Sequence, residues 1–105
     1  MTVMKYQLVL QLPAVSLKDY DEIVELEEDI IRGLGKLGTV DGHDAGLGEM
    51  NIFILTDYPK AAFDRVKGIL GKKLPTLGLK VAFRVIGADE FTVLHPADLA
   101  HFSIA

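Results

Sequence analysis

Along residues 6–12 the chain alternates, with Tyr6, Leu8, Leu10 and Leu12 on one side and Gln7, Val9 and Gln11 on the other. A period of two marks a strand with one face buried, and Pro13 ends it. Ser16 and Asp19 then have the spacing of a capping box, which predicts a helix start. Leu17, Tyr20, Ile23, Val24, Ile30, Ile31 and Leu34 follow at three- and four-residue intervals, one apolar stripe stopped by Gly33 and Gly35. A short strand is predicted over 39–43, a turn over 44–48 in which Gly46 and Gly48 can take positive φ, and a stronger strand over 49–56. Asp57 and Pro59 predict a second helix start, with Ala62, Phe63, Val66, Ile69 and Leu70 as its buried stripe. Pro75 and Gly78 precede a fourth alternating segment over 79–86. After Gly87 the pattern weakens to a short strand over 91–94 and a turn of helix after Pro96.

Strand, helix, strand, strand, helix, strand is the order of the ferredoxin-like βαββαβ fold. The expectation is therefore an α+β domain with a four-stranded antiparallel sheet, two helices on one face and a C-terminal tail. At 105 residues a single domain is the default, with its core over about 4–87 and the tail over 88–105. By parity the helix side receives Tyr6, Leu8, Leu10, Met50, Ile52, Ile54, Val81, Phe83 and Val85. The other side receives Gln7, Val9, Gln11, Glu49, Asn51, Phe53, Leu55, Ala82, Arg84 and Ile86. An apolar patch of that size is rarely left in water, so a cover is expected, either the tail or a second copy in a homodimer.

Composition narrows the chemistry. No cysteine is present, which excludes disulfides, thiolate metal sites and cysteine nucleophiles and fits a reducing cytoplasm. No apolar run approaches the roughly 18 residues that span a bilayer, and no export signal is expected, so no membrane partner is either. A net charge of −4 opposes nucleic-acid binding, which relies on Lys and Arg at phosphates, and Phe53 alone makes no stacking platform.

Charge is divided between the helices. Asp19, Asp21, Glu22, Glu25, Glu27, Glu28 and Asp29 crowd the first, while Lys60, Arg65, Lys67, Lys72 and Lys73 make the second basic. Such a run is ordinarily a solvated helix face. It is also a surface that would steer and select a basic protein, and Glu22, Glu25, Glu28 and Asp29 are the candidate docking residues.

The hairpin holds the other candidates. Asp41 and His43 are two apart in a strand and Glu49 opens the next, so the three could share a side, with Asp44 in the turn and Asn51 and Arg84 nearby. Imidazole and carboxylates can bind a divalent cation or serve as an oriented base. The spacing fits no zinc motif, however, and Asp, Gly and Asn suit a turn for backbone reasons. Gly42, Gly46 and Gly48 precede a strand, so no helix N-terminus faces a phosphate there. No metal, cofactor or catalytic residue is assigned.

Residues 41–53, DGHDAGLGEMNIF, resemble a segment D-G-H-D/E-x-G-x-G-E-M-N-I-F carried between two helices by a family of small bacterial α/β proteins. The resemblance covers most of the chain up to the fourth strand. It implies a bacterial cytoplasmic protein of the same fold, and it brings no established activity and no catalytic residue. The functional expectation is a non-catalytic binding or regulatory domain, inhibitor- or immunity-like, that takes a basic partner on its first helix. The alternative is a small metal- or ligand-dependent enzyme or binder using Asp41, His43 and Glu49, with Arg84 orienting an anionic substrate.

Overall fold

A computed structural model describes residues 4–13, 20–46, 48–72 and 78–104. The capping pair Ser16 and Asp19, and Pro75, lie outside them. The elements are β1 (Tyr6–Pro13), α1 (Tyr20–Leu34), a 3-10 turn (Gly35–Leu37), β2 (Thr39–Gly46), β3 (Glu49–Thr56), α2 (Pro59–Leu70), β4 (Lys80–Val85) and β5 (Thr92–His95). The class is α+β, but the sheet is five-stranded rather than four-stranded, in the order β2-β3-β1-β4-β5 with antiparallel neighbours throughout. The added strand comes from the tail, whose Val93 and Thr92 pair with Ala82 and Phe83 of β4. No helix among the described residues is long and apolar enough to cross a membrane.

Alternation in β1 explains the core. Leu8, Leu10 and Leu12 point to the helices and pack with Ile52, Ile54 and Val81 from the neighbouring strands. Leu26, Ile30 and Leu34 of α1 and Ala62, Phe63, Val66 and Leu70 of α2 complete the cluster, so both helices cover one face. Each large aliphatic chain buried there contributes roughly 1.5–3 kcal/mol by leaving water. The helices approach closely at Gly33, where an added Cβ would stand 2.4 Å from Ile69 Cδ1. Gly33 is therefore a packing position inside the helix, while Gly35, at φ +56°, takes the conformation that ends it.

Four expectations need correction. Strand β2 continues through Asp44 to Gly46, which pairs with Glu49, so residues 44–46 belong to the strand rather than to a turn, and Gly48 takes φ +80°. The register of β2 slips between Val40 and Gly42, which makes Asp41 the extra residue of a bulge. Asp57 does not cap α2. Its Oδ1 accepts the Lys5 amide at 3.0 Å, and the Tyr58 amide donates to Thr56 Oγ1 at 2.9 Å. Finally, Ile31 and Val85, assigned by periodicity to buried stripes, are 54% and 53% exposed. Val85 lies at the end of β4, beside a hollow lined by Met4, Lys5, Tyr6 and Ile86 that the helices leave uncovered.

The second sheet face carries the tail. Gln11 shares that face with Val9, and its Nε2 donates to the Ser103 carbonyl at 2.9 Å. Arg84, also on that face, donates to the Ala88 carbonyl at 2.8 Å and lies over the Phe91 ring, which packs against Phe102 at a centroid distance of 5.0 Å. Val9 and Ala82, on the same face, are fully buried.

Candidate functional site

The bulge decides what the hairpin can assemble. Without it, Asp41 and His43 would project from the same side of β2. With Asp41 inserted, Val40 opposes Ile54 and His43 opposes Ile52, which puts His43 on the helix side and leaves Asp41 exposed. Glu49 lies two residues before Asn51 on β3, so its parity places it on the tail side. Asp41, His43 and Glu49 are thus not brought together. Among the described residues no group of three or more His, Asp or Glu side chains is placed to hold a metal ion.

His43 meets a residue of α1 instead. Its Nδ1 is 2.8 Å from Glu27 Oε2, with the two side chains 24% and 16% exposed. A carboxylate can only accept, so Nδ1 carries the proton in this pair. The contact joins the helix layer to strand β2 and fixes the orientation of the imidazole ring. Glu27 escaped sequence reasoning because it reads as one more acid in a run. Its place three residues before the buried Ile30 was the available sign that it borders the core.

Asp44 and Asn51 face the other way, as a cross-strand pair of β2 and β3. Asn51 Nδ2 donates to Asp44 Oδ1 at 2.9 Å, and Asn51 Oδ1 accepts from Gln11 Nε2 at 3.1 Å. With Ser103 this makes a polar chain from exposed Asp44, through two amides that are each 2% exposed, to the backbone of the tail. Each buried amide is hydrogen-bonded, as burial demands. In sequence Gln11 is only the polar alternate of a strand, and no local pattern distinguishes it from Gln7. Arg84 joins the same face but is committed to the tail and to Gln7, whose Oε1 accepts from Arg84 Nε at 2.9 Å.

The charged helices present their own surfaces. On α1, Glu25 and Glu28 are exposed and Glu22 is half-buried, while Asp29 pairs with Arg32. Ile31, one turn beyond Glu28, adds an exposed apolar side chain to this acidic face. On α2, Lys67 pairs with Asp64 at 3.0 Å and lies over the Phe63 ring, and Arg65 Nη1 donates to the Gly33 carbonyl at 3.3 Å. The basic helix is therefore tied partly to its own surroundings. Glu25 and Glu28 have no ion-pair partner among the described residues. No protein-family profile matches the chain, and neither does any curated protein or solved structure.

Proposed function

We propose that this chain is a non-catalytic binding domain that docks a basic protein on the outer face of α1. The observation that carries the reading is the pair Glu25 and Glu28, exposed beside the exposed Ile31. Charges of one sign around an apolar side chain supply both halves of a recognition surface. The carboxylates raise the encounter rate and reject acidic competitors, and the aliphatic group has area to bury at the centre of a contact. The underlying architecture is read as ferredoxin-like with a fifth strand added, on the strength of the order β2-β3-β1-β4.

The test is affinity capture on immobilised protein, comparing wild type with a Glu25→Lys/Glu28→Lys variant. Capture of a basic protein should fall at least about tenfold in the variant and weaken as salt is raised. Undiminished capture that ignores salt removes the reading. A second reading, a small metal- or ligand-dependent binder at the hairpin, is favoured by the Glu27 carboxylate that orients His43. It requires native mass spectrometry to find an adduct that a chelator or His43→Ala removes, and a bare mass in every sample rejects it.

A further inference from the structure

Within residues 96–104, Phe102 and Ser103 reach the second sheet face, and no residue of the segment joins the sheet. The segment forms no strand or helix, and the Leu99 amide bonds locally, to the Pro96 carbonyl at 3.1 Å. Phe102 and the Ser103 carbonyl anchor the far end. Gln11 Nε2 donates to the Ser103 carbonyl, and Phe102 packs on Phe91. Ala97, Asp98, Ala100, His101 and Ser103 are exposed. A segment with no fully buried side chain and no regular structure opens at a lower free energy than the strands beneath it.

The surface below keeps its own order. Val9 and Ala82 make an apolar floor. Asp44 accepts from Asn51, and Asn51 accepts from Gln11, so the acid fixes the orientation of both amides. One N–H of Gln11 is used in that chain, and the other is left aimed at a backbone carbonyl. Gln11 is 2% exposed, and a hydrogen bond made in such surroundings is stronger than one in water. Phe91, lying 5.6 Å from the Arg84 guanidinium, supplies an aromatic wall.

We propose that this face is a groove for an extended peptide, occupied at rest by the chain's own C-terminal segment and opened to a partner when that segment is displaced. The partner chemistry is read from the resident residues Phe102, Ser103 and Ile104. It is an aromatic side chain for Phe91, a small residue whose carbonyl accepts from Gln11, and an aliphatic residue next to it. This surface is separate from the acidic face of α1 and does not depend on it. Because the resident segment is tethered, it competes at an effective concentration in the millimolar range, and the groove is masked until it lets go.

The probe is a synthetic peptide with the sequence of residues 99–105, titrated into the full-length protein and followed by amide chemical shifts. Phe102→Ala weakens the resident segment and should raise peptide affinity at least about tenfold over wild type. Shifts should concentrate at Val9, Gln11, Ala82 and Phe91, and adding Gln11→Leu should reverse the gain. A folded Phe102→Ala protein that binds no better than wild type overturns the proposal. Hydrogen exchange of the wild type tests it without substitution. Amides of residues 99–104 should exchange at least about a hundredfold faster than those of β1. Equal rates would mean that the segment opens only when the whole domain unfolds, and the groove would be refuted.

Discussion

Replacing Asn51 by leucine isolates the polar chain that crosses the sheet. The two side chains have the same number and branching of heavy atoms, so the change removes hydrogen bonds without opening a void. Asn51 is 2% exposed and accepts from Gln11 at 3.1 Å while donating to Asp44 at 2.9 Å. Losing the acceptor strands one N–H of buried Gln11, at a cost of about 1–3 kcal/mol. Losing the bond to Asp44 costs about 1 kcal/mol, because that carboxylate is exposed and water takes the place of the amide. A total of about 2–4 kcal/mol lowers the melting temperature of a chain this long by roughly 10–20 °C. The Gln11→Leu/Asn51→Leu double variant removes donor and acceptor together, and the Ser103 carbonyl, on an exposed residue, can turn to water. It should be more stable than the sum of the single changes predicts, with a coupling of about 1–2 kcal/mol in urea denaturation. An Asn51→Leu protein within about 0.5 kcal/mol of wild type, or strict additivity in the double variant, would refute the reasoning.

Two further experiments test neighbouring contacts. Thr56 is fully buried, donates to the Leu37 carbonyl at 2.6 Å and accepts the Tyr58 amide. Thr56→Val should therefore cost about 1–3 kcal/mol in denaturant melts, against less than about 1 kcal/mol for Asp57→Ala. The reverse order would restore Asp57 as the cap of α2. For the half-buried Glu27 and His43 pair, a Glu27→Gln/His43→Ala double-mutant cycle should return a coupling of about 0.5–1.5 kcal/mol. A coupling of zero would show that the contact does not fasten α1 to β2.

The alternating strands and amphipathic helices were legible because their periods follow from backbone geometry alone. The bulge at Asp41 was not. An inserted residue shifts parity without disturbing local composition, and only the pairing of Val40 with Ile54 and of Gly42 with Phe53 reveals it. That single slip separated His43 from the acids grouped with it. Asp57 has the chemistry of a cap in sequence, yet α2 starts without a side-chain cap because the Asp57 carboxylate is taken by the distant Lys5 amide. Gly38 gives no local sign of its role, which is close packing, with a Cβ there 2.9 Å from Ile54 Cγ2 and 3.0 Å from the Leu55 carbonyl. The partners of Glu27 and Gln11 lie 16 and 92 residues away, and no local pattern encodes such distances. The tail was weakly legible for a related reason. Its segments are shorter than the windows in which either period can be recognised.

The sheet's two borders have a consequence for how the molecule keeps to itself. An uncovered border strand offers unpaired amides and carbonyls on which another chain can template, and proteins blunt such borders with bulges, charges or brevity. Here β2 forms one border and carries the Asp41 bulge, Gly42 and the charged Asp44. At the other border β5 is only four residues long and its register with β4 is irregular. The apolar strands β1 and β3 are enclosed between them. Fibrillar self-templating is thereby discouraged at both rims, and disrupting the bulge by deleting Asp41 would expose a longer, flatter rim on which aggregation could begin.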